Sequence, residues 1–208
     1  MSRATPNDWL DAGLVLLRDR GHEALTIDAL CRQLGRTKGS FYHHFADVSV
    51  FSRRLLEHWE QRSTEDRIAS AGTSGSASER RAHLYASVRT VAYGVERAIQ
   101  AWALHSPDAR EVRSRVDARR IAYLAELRRA DGVKPKLAER LGQIEYAAFL
   151  GALQIFELPD PAGWKAFEKA NALLLRALEA IAAQSDAAVD PSSSARDSLL
   201  RRNERRLR

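Results

Sequence analysis

The sequence has little of what disulfide-stabilised, membrane-spanning or β-rich proteins require. Cys31 is its one cysteine, so no disulfide can form within the chain, and we expect a reducing compartment. The longest apolar run, Ala147–Leu153, is far shorter than a membrane-spanning helix, and the first residues contain no apolar signal core. No alternating run of β-branched residues indicates a strand. These absences predict an all-α protein of the cytoplasm.

Motifs of catalysis and of metal binding are also missing. The sequence has no GxSxG, no phosphate-binding P-loop and no GxGxxG after a strand. The six histidines stand singly, apart from the pair His43-His44, whose side chains diverge by about 100° on a helix. We therefore expect no catalytic residue, no metal site and no cofactor. An enzyme or carrier built on the C-terminal helices remains the alternative from a different functional class.

Positive charge is concentrated at the C-terminal end of the chain. The formal net charge is +6, yet residues 1–60 are neutral and residues 191–208 hold six arginines against Asp197 and Glu204. The overall charge is therefore weak evidence for a nucleic-acid partner. Residues 184–208 contain too few apolar side chains to offset the entropy of ordering, which predicts a disordered basic tail.

Residues 21–45 read as two short helices joined by a glycine turn. Thr26 can cap the first helix, in which Ile27, Leu30 and Leu34 share one face. Gly35 follows, where a left-handed residue is needed to leave a helix. In the second helix, capped by Thr37, Phe41 and Phe45 lie four residues apart and would pack back on the first. The arrangement predicts a helix-turn-helix, whose second helix enters the DNA major groove.

This segment resembles the DNA-binding domain of the TetR family of transcriptional repressors. The match extends from about Trp9 to Leu56. The residues that carry the resemblance are Gly21, Leu25-Thr26, Gly35, Lys38-Gly39-Ser40, Phe41-Tyr42 and His44-Phe45. The resemblance implies a ligand-responsive regulator that binds double-stranded operator DNA as a homodimer. It also implies a DNA-binding domain over residues 1–46 and a ligand-binding and dimerisation domain over residues 47–183, in which residues 47–70 form the connecting helix.

The resemblance also assigns the DNA contacts. It implies phosphate contacts for Lys38, Tyr42 and His44, and positions near base edges for Arg36, Thr37 and His43. Thr26 and Ser40 complete the expected DNA-binding residues. For Arg36 a simple solvated role is an equal alternative, because the family usually has an apolar residue there.

Three further positions depart from the family pattern. Val48 stands where a phosphate-binding lysine is common, and Asp28 stands where a basic residue often approaches DNA. Both departures lower the expected non-specific affinity for DNA, although Asp28 also suits the first turn of its helix. Cys31 replaces a usual alanine and is expected to be a buried, inert side chain.

Two helices near the end of the chain have apolar side chains on two faces. They are predicted over residues 137–156 and 162–183. A helix that is apolar on two faces must bury both, so we expect a four-helix bundle across a two-fold axis. The expected interface residues are Phe149, Leu153, Phe167, Asn171, Leu174 and Leu178. Burial of both helices within one monomeric core is the alternative.

The resemblance implies a ligand site between the C-terminal helices. The large side chains available there predict a mostly apolar, aromatic-lined pocket with few charges. The expected pocket residues are Tyr85, Trp102, His105, Tyr123, Tyr146 and Phe149, with Glu145 as a further polar candidate. The function that follows is a repressor released from a palindromic operator by a small, largely apolar ligand. A ligand-independent regulator or an activator is the closest alternative.

Overall fold

A computed structural model describes residues 4–72, 74–88, 93–155 and 161–189. These residues form ten helices and no β-strand, which confirms the predicted all-α class. The helices are α1 Pro6–Arg20, α2 Ile27–Leu34, α3 Lys38–Tyr42, α4 Val48–Glu60, α5 Asp66–Ala71, α6 Ala77–Val88, α7 Tyr93–His105, α8 Pro107–Ala130, α9 Pro135–Ile155 and α10 Pro161–Val189. None of them, over the residues described, is long and apolar enough to cross a membrane.

An aromatic cluster holds the first four helices together. Trp9, Phe41, Phe45 and Phe51 are almost completely buried. The Phe41 ring meets Trp9 edge-on at 5.5 Å between centroids, and Phe45 meets Phe51 edge-on at 5.1 Å, geometries that aromatic pairs favour. Phe41 and Phe45 are therefore buried, but the rings that they meet belong to α1 and α4, whereas the sequence predicted packing on α2.

A continuous helical rod connects this cluster to the rest of the chain. Asp47 begins α4 by accepting a hydrogen bond from the Val50 amide at 2.8 Å, as its position in the sequence predicts. A π-helical turn, Gln61–Glu65, then joins α4 directly to α5. The rod ends at Ala71, close to the predicted limit at residue 70, and Gly72 follows with a positive φ of 78°. π-Helical turns inside α-helices occur often at functional sites.

The segment after the rod differs from the sequence prediction in one respect. Ser106 caps α8 and Pro107 is its first residue, so this position does break the chain as expected. From the sequence alone, Pro107 suits the first turn of a short helix, and the spacing of Val112, Val116 and the apolar residues up to Leu127 predicts a second helix after it. Instead a single helix of 24 residues extends to Ala130, because nothing between residues 107 and 130 interrupts the backbone hydrogen bonds.

The hydrophobic core continues across the expected domain boundary at residues 46 and 47. One cluster of buried side chains extends from Leu10 and Leu17 in α1 to Ile99 in α7 and Val116 in α8. The helix-turn-helix region and the helices behind it therefore share apolar contacts. The limits predicted for the two domains remain a prediction.

Buried charges run through the interior behind the connecting rod. The Arg120 guanidinium contacts both carboxylate oxygens of Glu96 at 3.0 Å and donates to Thr64 Oγ1 at 3.0 Å and to Tyr146 at 3.3 Å. Burial disfavours the charge of Arg120, but the Glu96 carboxylate outweighs that effect and raises the pKa of Arg120. The expectation of few inward charges is wrong, because these residues neutralise one another rather than face solvent.

A second buried ion pair lies between α8 and α9. Arg128 and Glu145 are both almost fully buried, and Arg128 Nε donates to Glu145 at 3.2 Å. The other Glu145 oxygen accepts from the Tyr85 hydroxyl. The one buried polar group that the sequence singled out, Glu145, thus has its hydrogen-bonding capacity used by the protein itself.

The chain divides into two units, Met1–Asp160 and Pro161–Arg208, and α10 is the described part of the second. The Trp164 indole donates to Glu168 at 3.0 Å and its ring packs on Phe167. This helix extends to Val189, beyond the predicted limit at residue 183. The greater part of the expected tail, residues 190–208, lies outside the described residues.

Gly142 lets α8 and α9 approach each other closely. A Cβ atom at Gly142 would lie 3.0 Å from the Ile121 carbonyl oxygen and 3.1 Å from the Ala125 nitrogen. Both are backbone atoms, which cannot rotate away as a side chain can. The two helices must therefore separate to admit even a methyl group.

We predict that Gly142→Ala lowers the free energy of unfolding by about 1–3 kcal/mol, since overpacking strains the helix contact. Gly151→Ala on the same helix is the matched control, because a Cβ there meets nothing within 4 Å. The control should stabilise by up to about 1 kcal/mol through helix propensity. Urea unfolding followed by circular dichroism measures both. Equal effects of the two substitutions would contradict the close approach.

Candidate nucleic-acid interface

A glycine turn sets the angle between α2 and α3. Gly35 ends α2 in the left-handed region at φ 61°, and its amide donates to the carbonyls of Arg32 and Cys31. Thr26 and Thr37 cap the two helices, accepting from the amides of Ala29 at 3.2 Å and Ser40 at 3.4 Å. The predicted caps and turn are confirmed. A position beside DNA remains a prediction for both threonines.

The buried side of α3 anchors the helix, and its other side faces solvent. Phe41 is fully buried, whereas the neighbouring Tyr42 is 55% exposed and its ring meets Phe41 edge-on. Lys38 and His43 are also exposed, while Ser40 and Arg36 are half-buried. Lys38, Tyr42 and His43 are thus all accessible to solvent. For Lys38 and Tyr42 this suits the expected phosphate contacts, and for His43 a position near a base edge remains a prediction.

Lys38 is paired with the acid that departs from the family pattern. Its Nζ lies 2.8 Å from Asp28 Oδ1, and both side chains are mostly exposed. The hydrogen bond to Asp28 and its negative charge raise the pKa of Lys38. Asp28 therefore competes with any phosphate for the ammonium group, which gives the sequence departure a definite geometry.

His44 is turned toward the N-terminal end of the domain. Its Nε2 lies 2.9 Å from the Ala4 carbonyl oxygen, and the side chain is half-buried. The ring also meets that of His43 at 4.8 Å between centroids. This placement gives His44 a structural role in anchoring the start of α1, and a phosphate contact for it stays untested.

Cys31 lies on the buried side of α2, as expected. Burial raises the pKa of the Cys31 thiol above its ordinary value. A thiol that is protonated at neutral pH is a poor nucleophile. The residue therefore acts as a small apolar side chain of the domain core.

Two of the expected ligand-pocket residues lie on α7. Trp102 stacks on His22 with the rings 9° from parallel, so it joins α7 to the DNA-binding region. His105 is exposed at the end of α7. A ligand role for either residue remains a prediction.

The remaining candidates lie against α8 and α9 and are used in packing. The Tyr146 hydroxyl donates to Asp117 at 2.6 Å, and Phe149 stacks on the Tyr146 ring. Tyr85 is bonded to Glu145, and Tyr123 is buried. Burial raises the pKa of both Tyr85 and Tyr146, which keeps their phenols protonated. A ligand role for this group remains a prediction.

A cleft that sequence reasoning missed lies between α1, the connecting rod and α7. It has a volume of about 620 Å³, within the usual range for small-molecule sites. Its apolar wall includes Leu14, Trp59 and Val95, and its polar wall includes Arg62 and Arg67. Periodicity assigned Trp59 to a core face, but no local pattern shows that α1 and α7 leave space beside it.

The expected dimer residues differ in how accessible they are. Leu153 is fully buried within the chain, and we withdraw it from the interface. On α10, Leu174 is exposed, whereas Phe167, Asn171 and Leu178 are half-buried, as is Phe149 on α9. The exposed apolar surface of α10 is defined here as the α10 stripe, Ala166, Ala170, Leu173, Leu174, Ala177 and Ile181.

The described residues contain no group of three or more potential metal ligands. The predicted absence of a metal site and of a cofactor remains an expectation.

Comparisons with known proteins support the resemblance. Residues 10–47 match the family model described as bacterial regulatory proteins, tetR family. The uncharacterized HTH-type transcriptional regulator YwcC of Bacillus subtilis (strain 168) is 39% identical over 54 residues. That match covers 26% of this chain and 24% of the Bacillus protein, so the chain aligns with about a quarter of its relative's length.

Solved structures extend the likeness to the whole fold. A structure described as a TetR/AcrR family member has 24% sequence identity and a TM-score of 0.64, covering 86% of this chain and 97% of its own. A transcriptional regulator from Rhodococcus sp. Rha1 has 16% identity and a TM-score of 0.66, covering 84% and 96%. At these identities the likeness establishes the fold.

We predict that Asp28→Asn strengthens binding to non-specific duplex DNA and steepens its salt dependence. The substitution frees Lys38 for phosphate and removes a repelling charge, and each additional phosphate that the protein neutralises adds about 0.9 to the slope of log K against log salt. Fluorescence anisotropy with a random-sequence duplex at several salt concentrations measures both quantities.

Asp108→Asn is the matched control, because Asp108 is also exposed and also lies in the first turn of a helix, directly after its first residue. It should lose the same helix-dipole interaction without affecting DNA. If the two variants bind duplex DNA alike, Lys38 makes no phosphate contact.

Proposed function

We propose that this chain is a TetR-family transcriptional regulator and a repressor that binds a palindromic operator as a homodimer. The family match of residues 10–47 and the all-α fold support this proposal. A small effector releases it from DNA. The DNA is double-stranded, and the protein uses α3 to enter the major groove. The observation that carries this proposal is the exposed surface of Lys38, Tyr42 and His43 on a fully packed domain.

The packing beneath α3 supports the DNA-binding role. A helix of five residues is unstable by itself, and here Phe41 anchors it to Trp9 and Phe51. The outward side chains are thereby presented on a rigid base. Preorganisation of this kind lowers the entropic cost of binding, so it favours recognition of a fixed partner such as duplex DNA.

The α10 stripe supports dimerisation. Leu173, Leu174 and Ile181 are 53–59% exposed, and alanines between them form a surface on which a second helix can pack closely. Exposed contiguous apolar surface in a soluble protein marks an interaction site. We propose that two copies of the stripe face each other across a two-fold axis, with a total buried area on the order of 2,000 Å².

Induction requires a link between an effector site and the DNA-binding helices. The continuous core and the helical rod supply such a link, because Ile99 and Trp102 in α7 belong to the same cluster as Trp9 and Leu17 in α1. An effector acts by binding one arrangement of the dimer more tightly than another. Operator DNA must then weaken effector binding by the same factor.

We predict that wild-type protein protects a palindrome in the DNA upstream of its own gene, with half-sites roughly 34–36 Å apart or a multiple of that distance. Tyr42→Phe should weaken binding roughly tenfold, through loss of a hydrogen bond to a charged phosphate, and equally for palindromic and scrambled duplexes. Footprinting and anisotropy measure these effects.

Tyr123→Phe is the matched control for this variant, because Tyr123 is buried far along the chain in α8 and should leave DNA binding intact. Loss of affinity confined to the palindrome would mean that Tyr42 reads a base. Absence of any salt-sensitive binding to duplex DNA would contradict the proposed function.

We predict that Leu173→Glu combined with Ile181→Glu converts a dimer into a monomer, since two buried acids per subunit would be unpaired. Lys165→Glu adds an acid to the exposed surface of α10 outside the stripe and should leave the dimer intact. Sedimentation equilibrium at micromolar concentration gives the masses. A monomeric wild type would contradict the dimer, and a dimeric double variant would exclude the stripe as its interface.

A further inference from the structure

The cleft between α1, the connecting rod and α7 is built for an anion. Its acidic side chains are engaged by the protein's own donors. Asp11 accepts from Arg62 at 2.6 Å and from His58 at 2.8 Å, Asp66 accepts from Gln61 at 2.8 Å, and Glu96 is held by Arg120. A cationic ligand would have to displace one of these partners.

Arg67 is in the opposite situation. It lines the cleft, and its Nη1 donates to the Ser87 carbonyl. Its Nε is buried and has no hydrogen-bond acceptor among the described residues, none of which forms an ion pair with Arg67. Burial lowers the pKa of Arg67 below its ordinary value. A guanidinium in this state gains a counter-charge from a carboxylate bound in the cleft.

The rest of the cleft is suited to an apolar body. Leu14 and Val15 are half-buried in its α1 wall, and Trp59 and Val95 form the opposite apolar surface. Polar groups at one end and an apolar remainder are typical of small-molecule sites. We propose that this cleft binds an organic carboxylate with an aromatic or aliphatic body, and that Arg67 receives the carboxylate.

The walls of the cleft belong to both functional parts of the chain. Leu14, Val15 and Arg18 come from α1 of the DNA-binding region, whereas Arg67 and Val95 come from the rod and α7. Beside the cleft, a Cβ at Gly94 would lie 2.6 Å from Arg18 Cγ, so α1 and α7 are already in close contact. A ligand that fills the cleft therefore acts directly on the spacing of these helices. This effector role rests on the proposed function, whereas the binding itself does not.

The test uses 1-naphthoate as the probe and its uncharged amide, 1-naphthamide, as the matched compound. Isothermal titration calorimetry is done on the full chain as wild type, Arg67→Gln and Arg129→Gln. Arg129 is exposed on α8 outside the cleft. We expect saturable binding of the acid by wild type and Arg129→Gln, weakened roughly tenfold or more in Arg67→Gln by loss of a charge-assisted hydrogen bond. Val15→Trp should block binding by filling the cleft without changing its charge.

Three results would overturn the site: no saturable binding of naphthoate by wild type, equal affinity in wild type and Arg67→Gln, or equal binding of acid and amide. The thermal unfolding temperature of Arg67→Gln serves as a folding check, because removing a poorly compensated buried cation should not lower it.

The effector role is read separately, by operator anisotropy with and without naphthoate. Release of wild type but not of Arg67→Gln supports it, and unchanged operator affinity at saturating naphthoate overturns it. If the chain binds naphthoate through Arg67 but binds no DNA, the proposed function fails and the site stands. If it binds its operator but not naphthoate, the site fails and the regulator stands.

Discussion

Satisfaction of the buried Arg120 guanidinium is the constraint on which the arrangement of the helices depends. A charge removed from water must be paired and hydrogen-bonded, and Arg120 reaches this state only when Glu96, Thr64 and Tyr146 converge on it from α7, the π-helical turn and α9. The Trp59 indole adds a hydrogen bond to Glu96 at 3.2 Å. These directional bonds therefore fix the position of the connecting rod relative to α7, α8 and α9. Apolar packing alone would not fix it in this way.

Local chemistry in the sequence predicted the DNA-binding region well. Thr26, Gly35 and Thr37 act through neighbours three or four residues away, and Phe41 and Phe45 through a helical face, so each role could be assigned from spacing. The Lys38–Asp28 pair lies between two helices that the sequence already placed side by side. No sequence motif predicts this ion pair, because either side chain could equally have faced solvent.

The sequence predicted the helices after the connecting rod less completely. Their side chains contact residues far away in the sequence, and local spacing does not indicate such contacts. Trp102 was assigned to a ligand pocket, yet it stacks on His22, which is distant in sequence. No local pattern singles out Glu96 or Arg120 as a buried pair, because a charged side chain indicates exposure unless its partner is known. The length of α8 was missed because a proline that begins a helix gives no information on where that helix ends.

Different residues in and beside α3 hold the helix to the domain and face solvent. Phe41 and the Thr37 cap hold the helix to the domain, while Lys38, Tyr42 and His43 contribute almost nothing to the buried core. Substitutions on the outer side can therefore change the exposed chemistry of α3 at little cost to the stability of the fold. The same buried framework can thus carry different outer surfaces.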